Sequence, residues 1–61
     1  MRKRTEVKIL YDRWAANLEK DINNFLRNNP EIIVKDIKFS TLTNENGDCV
    51  FAMIVFEEII K

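Results

Sequence analysis

The stretch Cys49-Val50-Phe51-Ala52-Met53-Ile54-Val55-Phe56 places eight apolar residues in a row, and Glu57 and Glu58 follow at once. A strand on a protein surface alternates apolar and polar residues, because successive side chains point to opposite faces. A continuous run rich in Val, Ile and Phe, bounded by turn residues and charges, reads instead as a strand covered on both faces. The rest of the chain has to supply those two covers.

Upstream, Val7, Ile9 and Tyr11 alternate with Glu6 and Lys8, the pattern of a first strand with one inner face. Leu10 breaks the alternation. Met1-Arg2-Lys3-Arg4 before it is a basic tip, expected as a solvated tail that keeps an edge strand soluble. Asp12 is a candidate N-cap for a helix beginning near Arg13. Trp14, Ala15, Leu18, Ile22, Phe25 and Leu26 then recur at spacings of three and four, with Arg13, Asn17, Lys20, Asn24 and Arg27 facing away. Asn28-Asn29-Pro30 ends the helix, since proline disfavours helical geometry in the residue before it and Asn tolerates a left-handed one.

A second strand spans residues 32–42, with Ile37 and Phe39 on one face and Asp36, Lys38 and Ser40 on the other. The polar segment 43–48 holds the chain's only glycine, Gly47, after Asn46, which marks a hairpin into the apolar run. The order strand, helix, strand, strand makes the first two strands parallel through a right-handed crossover, and the third antiparallel to both. The third belongs in the middle. The expected fold is therefore a single α+β domain over residues 1–61: a two-layer β-α-β-β unit with a sheet of order 1-3-2 and one helix on one face, similar to half of a ferredoxin-like fold.

One helix covers one face only. With Val7, Ile9, Tyr11, Ile37, Phe39 and the parity Cys49, Phe51, Met53, Val55 assigned to the helix, the opposite parity remains open. Val50, Ala52, Ile54 and Phe56, with Leu10 and in part Val34 and Leu42, are then expected to form a dimer interface. A bulge near Asp48 would exchange the two faces. Size argues the same way. A chain of 61 residues buries only about 60% of the surface its unfolded form exposes, and small domains need added support. The single cysteine rules out an internal disulfide, and with no histidine there is no His and paired Cys for a structural zinc. Oligomerisation remains, by sheet packing or by strand exchange.

Chemical signatures are few. Without histidine the usual neutral-pH base is missing. Cys49 heads an apolar strand and reads as a small core residue, and Asp36 with Lys35 and Lys38 as a solvated strand face. The small tautomerases share the length and the β-α-β start but act through an N-terminal proline, and position 2 is Arg2. A single glycine excludes a glycine-rich phosphate loop. No catalytic, metal or cofactor residue is assigned, and the expectation is a protein without enzymatic activity.

Formal charge is zero, which supplies little of the phosphate attraction that dominates nucleic-acid affinity. The alternative of an RNA- or single-strand-binding module rests on Tyr11, Phe51 or Phe56 and the tip Arg2, Lys3 and Arg4. Trp14 and Tyr11 read as a core anchor with a ring packed beneath it, or alternatively as a recognition spot. The helix face with Asn17, Asn23, Asn24, Asn28 and Asn29 is amide-rich; Asn17 and Asn24, with Asn44 and Asn46 at the hairpin tip, are candidate contacts for a partner protein. No stretch approaches the about 20 apolar residues of a membrane span, and the basic N-terminus lacks the apolar core of a signal peptide. The expected compartment is the cytoplasm.

The segments Val7-Lys8-Ile9-Leu10-Tyr11, Ile22-Asn23-Asn24-Phe25-Leu26, Val34-Lys35-Asp36-Ile37-Lys38-Phe39 and Phe51-Ala52-Met53-Ile54-Val55-Phe56-Glu57 resemble the small sporulation-associated protein family of endospore-forming bacteria. The resemblance covers nearly the whole chain, though the basic tip is longer and the loop 43–48 shorter than the family pattern. It implies a cytoplasmic bacterial protein, also carried by phages of those hosts, with no assigned enzymatic activity and no functional residues to transfer. A rigid homodimer in that setting suits binding and blocking of a host protein, for example one of an anti-phage defence system.

Overall fold

A computed structural model of the chain describes residues 2–45 and 47–60. It contains β1 (Arg2–Asp12), α1 (Ala15–Asn28), β2 (Ile33–Asn44) and β3 (Gly47–Ile60). The sheet has order β1-β3-β2, with β3 antiparallel to both neighbours. This is the α+β arrangement expected, with the apolar run in the central strand. Gly47 takes a positive φ of 119°, as the Asn-Gly pair led one to expect.

The strands are longer than the apolar pattern indicates. Arg2, Lys3 and Arg4 are not a free tail: Arg2 pairs with Ile60, Lys3 with Ile59 and Arg4 with Glu58. Backbone pairing needs no apolar side chain, and the Arg4 guanidinium meets Glu58 at 3.1 Å and Glu6 at 2.6 Å. The pair Ile59 and Ile60 accordingly continues β3.

The helix begins later than Asp12 suggests. Trp14, extended at φ −116° and ψ 130°, is the N-cap, and its carbonyl accepts the amides of Asn17 and Leu18. Asp12 Oδ1 instead accepts the Trp14 amide at 3.0 Å, shaping the turn before the helix. The Trp14 ring lies outside the helical stripe and is 64% exposed, so it is not a core anchor. At the other end Asn29 closes the helix from an ordinary negative φ of −131°, its amide bonding Leu26 O and its side chain donating to Phe25 O at 2.8 Å.

The core is small: Leu18 and Ile22 from α1 against Ala52, Ile54 and Phe56 from β3, with Leu10, Phe25, Leu26, Ile32, Ile37 and Val50 packed around them. Phe25 and Phe56 stack tilted, with centroids 5.5 Å apart. For β1 and β3 the face assignment is therefore the reverse of the expected one, while Ile37 and Phe39 lie on the helix side as expected. Leu10, Val50, Ala52, Ile54 and Phe56, expected at a dimer interface, lie beneath the helix, with Ile54 fully buried. Both parities of β3 are apolar, so hydrophobicity does not choose between them. Ala52, the smallest side chain in the run, is 1% exposed beneath the helix.

A bulge sets the parity of β2. Val34 lies opposite Phe56 and Asp36 opposite Val55, so Lys35 is the extra residue. Past it, Ile37 faces Ile54 and Phe39 faces Ala52, which turns both toward the helix side. Without the bulge Asp36 and Lys38 would occupy those positions. Val34 and Ile37 consequently share a face that simple alternation denies them.

Candidate interaction surfaces

Residues directly opposite in an antiparallel pair point to the same face. Val7 opposite Val55, Ile9 opposite Met53 and Tyr11 opposite Phe51 therefore form one apolar strip, on the face away from the helix. Leu42 opposite Cys49 extends it. Ile9 is 59% and Tyr11 69% exposed, and the Tyr11 and Phe51 rings pack with centroids 6.0 Å apart. Along the β2 side the strip is bordered by Asp36 and Lys38, paired at 3.2 Å, and by Lys35 and Glu57, paired at 2.9 Å. Hydrogen bonding from Lys35, with the attraction of its charge, holds the Glu57 carboxyl below the usual carboxylate range. Cys49 is half-buried, its thiol donating to Asp12 O at 3.4 Å.

The helix side carries a second apolar surface. A helix is about 10–12 Å across with its side chains, while three strands at about 4.8 Å spacing span about 14 Å. Helix α1 packs on β1 and β3 and makes no close backbone approach to β2, of which Ile37 alone packs against the core, among the described residues. Phe39 is thus 70% exposed although it points to the helix side. Between α1 and β2 runs a cleft of about 300 Å³, lined by Leu18, Ile22, Phe39, Thr41 and Val50, with Glu19 the one charged lining residue among those described. The sequence placed Phe39 under the helix; what it lacked was a comparison of the width of one helix with that of three strands.

The expected partner contacts are not gathered in either place. Asn17 and Asn24 are exposed on the outer side of α1, and Asn44 sits at the far end of β2. Asn46 lies outside the described residues. Asn23, rather than Asn17 or Asn24, reaches the cleft rim.

Among the described residues, no group of three His, Cys, Asp or Glu side chains is placed to hold a metal ion, and no helix is long and apolar enough to cross a membrane. No side-chain polar atom among the described residues is buried without a partner. What both surfaces offer is apolar area edged by charge, the chemistry of association. Compared with models of known protein families, with curated proteins and with solved structures, the chain has no significant match.

Proposed function

We propose that this chain is a small, non-enzymatic, homo-oligomeric interaction protein that acts by binding and modulating a partner protein. The observation that supports this reading is the apolar surface left open on both sides of one thin sheet, through Ile9 and Tyr11 on one side and Phe39 on the other. Monomeric soluble proteins rarely leave contiguous apolar patches of more than a few hundred Å² without a use for them. The partner site is the cleft between α1 and β2. Its apolar walls and single carboxylate, Glu19, suit a protein segment that presents a large apolar side chain beside a Lys or Arg.

Two finer roles belong to the same proposal: an inhibitor of a host defence protein, carried by a phage, or a sporulation-associated factor. Both rest on the family resemblance of the segments quoted above, and both imply a cytoplasmic site of action. Affinity capture with the wild-type chain and with Phe39→Ala, followed by mass spectrometry, tests the reading. A protein retained by the wild type, lost with Phe39→Ala and rebound by the purified chain at a defined stoichiometry supports it. Co-purifying RNA with no protein partner overturns it.

That second outcome has an observation of its own. The Tyr11 and Phe51 rings, side by side on the open face, form the kind of aromatic platform on which single-stranded bases stack. Phe56, buried against the helix, takes no part. A gel shift with single-stranded RNA at low salt that is abolished by Tyr11→Ala favours the nucleic-acid module; no shift at low salt removes it.

A further inference from the structure

The accessible surface is 4926 Å², whereas a compact folded chain of 7.3 kDa has about 4,200 Å². The excess, on the order of 700 Å², is close to the about 800 Å² that each partner contributes to a protein interface of ordinary size. On the face away from the helix, Val7, Ile9, Tyr11 and Leu42 are all exposed in one strip. Two such faces laid together make a sandwich with sheets about 10 Å apart, the common way of burying the inner faces of two sheets.

Charge selects between the two-fold arrangements. An axis parallel to the strands lays β1 of each copy over β2 of the other, which sets Val7 and Ile9 on Asp36 and Lys38 and strips water from charges without repaying them. An axis across the strands lays β2 over β2 in the reverse direction. If it passes between Asp36 and Lys38, Asp36 of each copy meets Lys38 of the other, while Val7 meets Ile9 and Met53 meets Val55. Both side chains of the Asp36–Lys38 pair are at least half exposed, so they can exchange partners. The Asp36–Lys38 pair thus supplies two ion pairs across the contact, the Lys35–Glu57 pair on the same face enters it already neutralised, and the contact is self-complementary as a closed dimer requires.

Resting on the self-association in the proposed function, we infer that the open sheet face is the seat of a second copy of this chain, packed face to face with strands antiparallel and the two-fold axis between Asp36 and Lys38. The cleft between α1 and β2 then faces outward twice, once on each side of the dimer.

The test is a pair of charge variants of the full chain. Asp36→Lys carries only positive charge at the two positions and Lys38→Asp only negative, so each homodimer opposes like charges. Analytical ultracentrifugation of each alone should show at least about tenfold weaker dimerisation than the wild type, and mixing them should restore a dimer containing one of each. An effect confined within one chain cannot produce recovery on mixing. Wild-type-like dimers from either variant alone, or no pairing on mixing, overturn the inference. Circular dichroism of each variant confirms folding, and the conservative pair Asp36→Asn and Lys38→Gln, which should dimerise more weakly than wild type without like-charge repulsion, keeps the test decisive if a charge reversal unfolds the chain. Binding of a partner to Phe39 is read separately, so a dimer that fails this test with capture intact leaves the partner-binding reading standing, and the reverse result does the opposite.

Discussion

Lys35 Nζ lies 2.9 Å from Glu57 Oε1, and Lys35 is the extra residue of the bulge that sets every later side chain of β2 on its face. The ion pair holds the bulged residue against the central strand from the open face of the sheet. A single side chain therefore links the local irregularity of β2 to the placement of Ile37 over Ile54.

Acid should loosen that contact. The Glu57 carboxyl is held below its ordinary value by the Lys35 hydrogen bond. A depressed folded value contributes stability above the unfolded value, about 4.3, and loses it as the pH falls through the lowered one. Urea denaturation between pH 7 and pH 3 should show a steeper acid loss for the wild type than for Lys35→Met. Equal slopes in the two proteins contradict the assignment. Both groups are partly exposed, so the effect should also shrink in high salt.

Removing Lys35 altogether should be tolerated about as well as replacing it. Lys35→Ala keeps the bulge and loses only a surface ion pair, so it should cost little. Deletion of the residue sets Asp36 directly after Val34, opposite Val55 as it already is, so Ile37 and Phe39 stay on the helix side and the strand becomes regular. The deletion chain should therefore still show a cooperative thermal transition, measured by circular dichroism. A deletion chain with no cooperative transition contradicts Lys35 as the extra residue.

The small side chain at Ala52 should prove as sensitive as the large ones. Leu18→Ala opens a void in a core with few members and is expected to destabilise by about 2–4 kcal/mol. Ala52→Leu forces α1 away from β3 and should cost about 1–3 kcal/mol by overpacking. Chemical denaturation measures both. A neutral Ala52→Leu means that the helix does not approach the sheet at this position.

The two exposed surfaces should separate cleanly by mutation. Phe39→Ala removes a side chain that is mostly in water and should change stability by within about 0.5 kcal/mol, while abolishing capture of the partner. Ile9→Lys should leave the cleft intact and shift the chain toward monomer. Loss of both properties from either single change contradicts two independent surfaces.

The centre of the fold was legible in the residues. The run 49–56 could only be an inner strand, and the spacing of Leu18, Ile22 and Phe25 could only be a helix lying on it. The grouping of Val7, Ile9 and Tyr11 with Phe51, Met53 and Val55 matches the structure, although alternation singles out only the β1 set and the run 49–56 is apolar in both parities. Which group the helix covers was not legible, since both parities of the run are apolar. The bulge at Lys35 carries no glycine or proline to announce it, and the pairing of Arg2, Lys3 and Arg4 uses backbone groups that side-chain pattern does not report. Phe39 escaped notice as a surface residue for a different reason: its exposure depends on where α1 sits across the sheet.

The central claim is that this chain is one half of a structure whose second half is another copy of itself. Sedimentation equilibrium of the wild-type chain at micromolar concentration tests it most directly. The expected result is a folded species of twice 7.3 kDa; a cooperatively folded monomer at that concentration contradicts it.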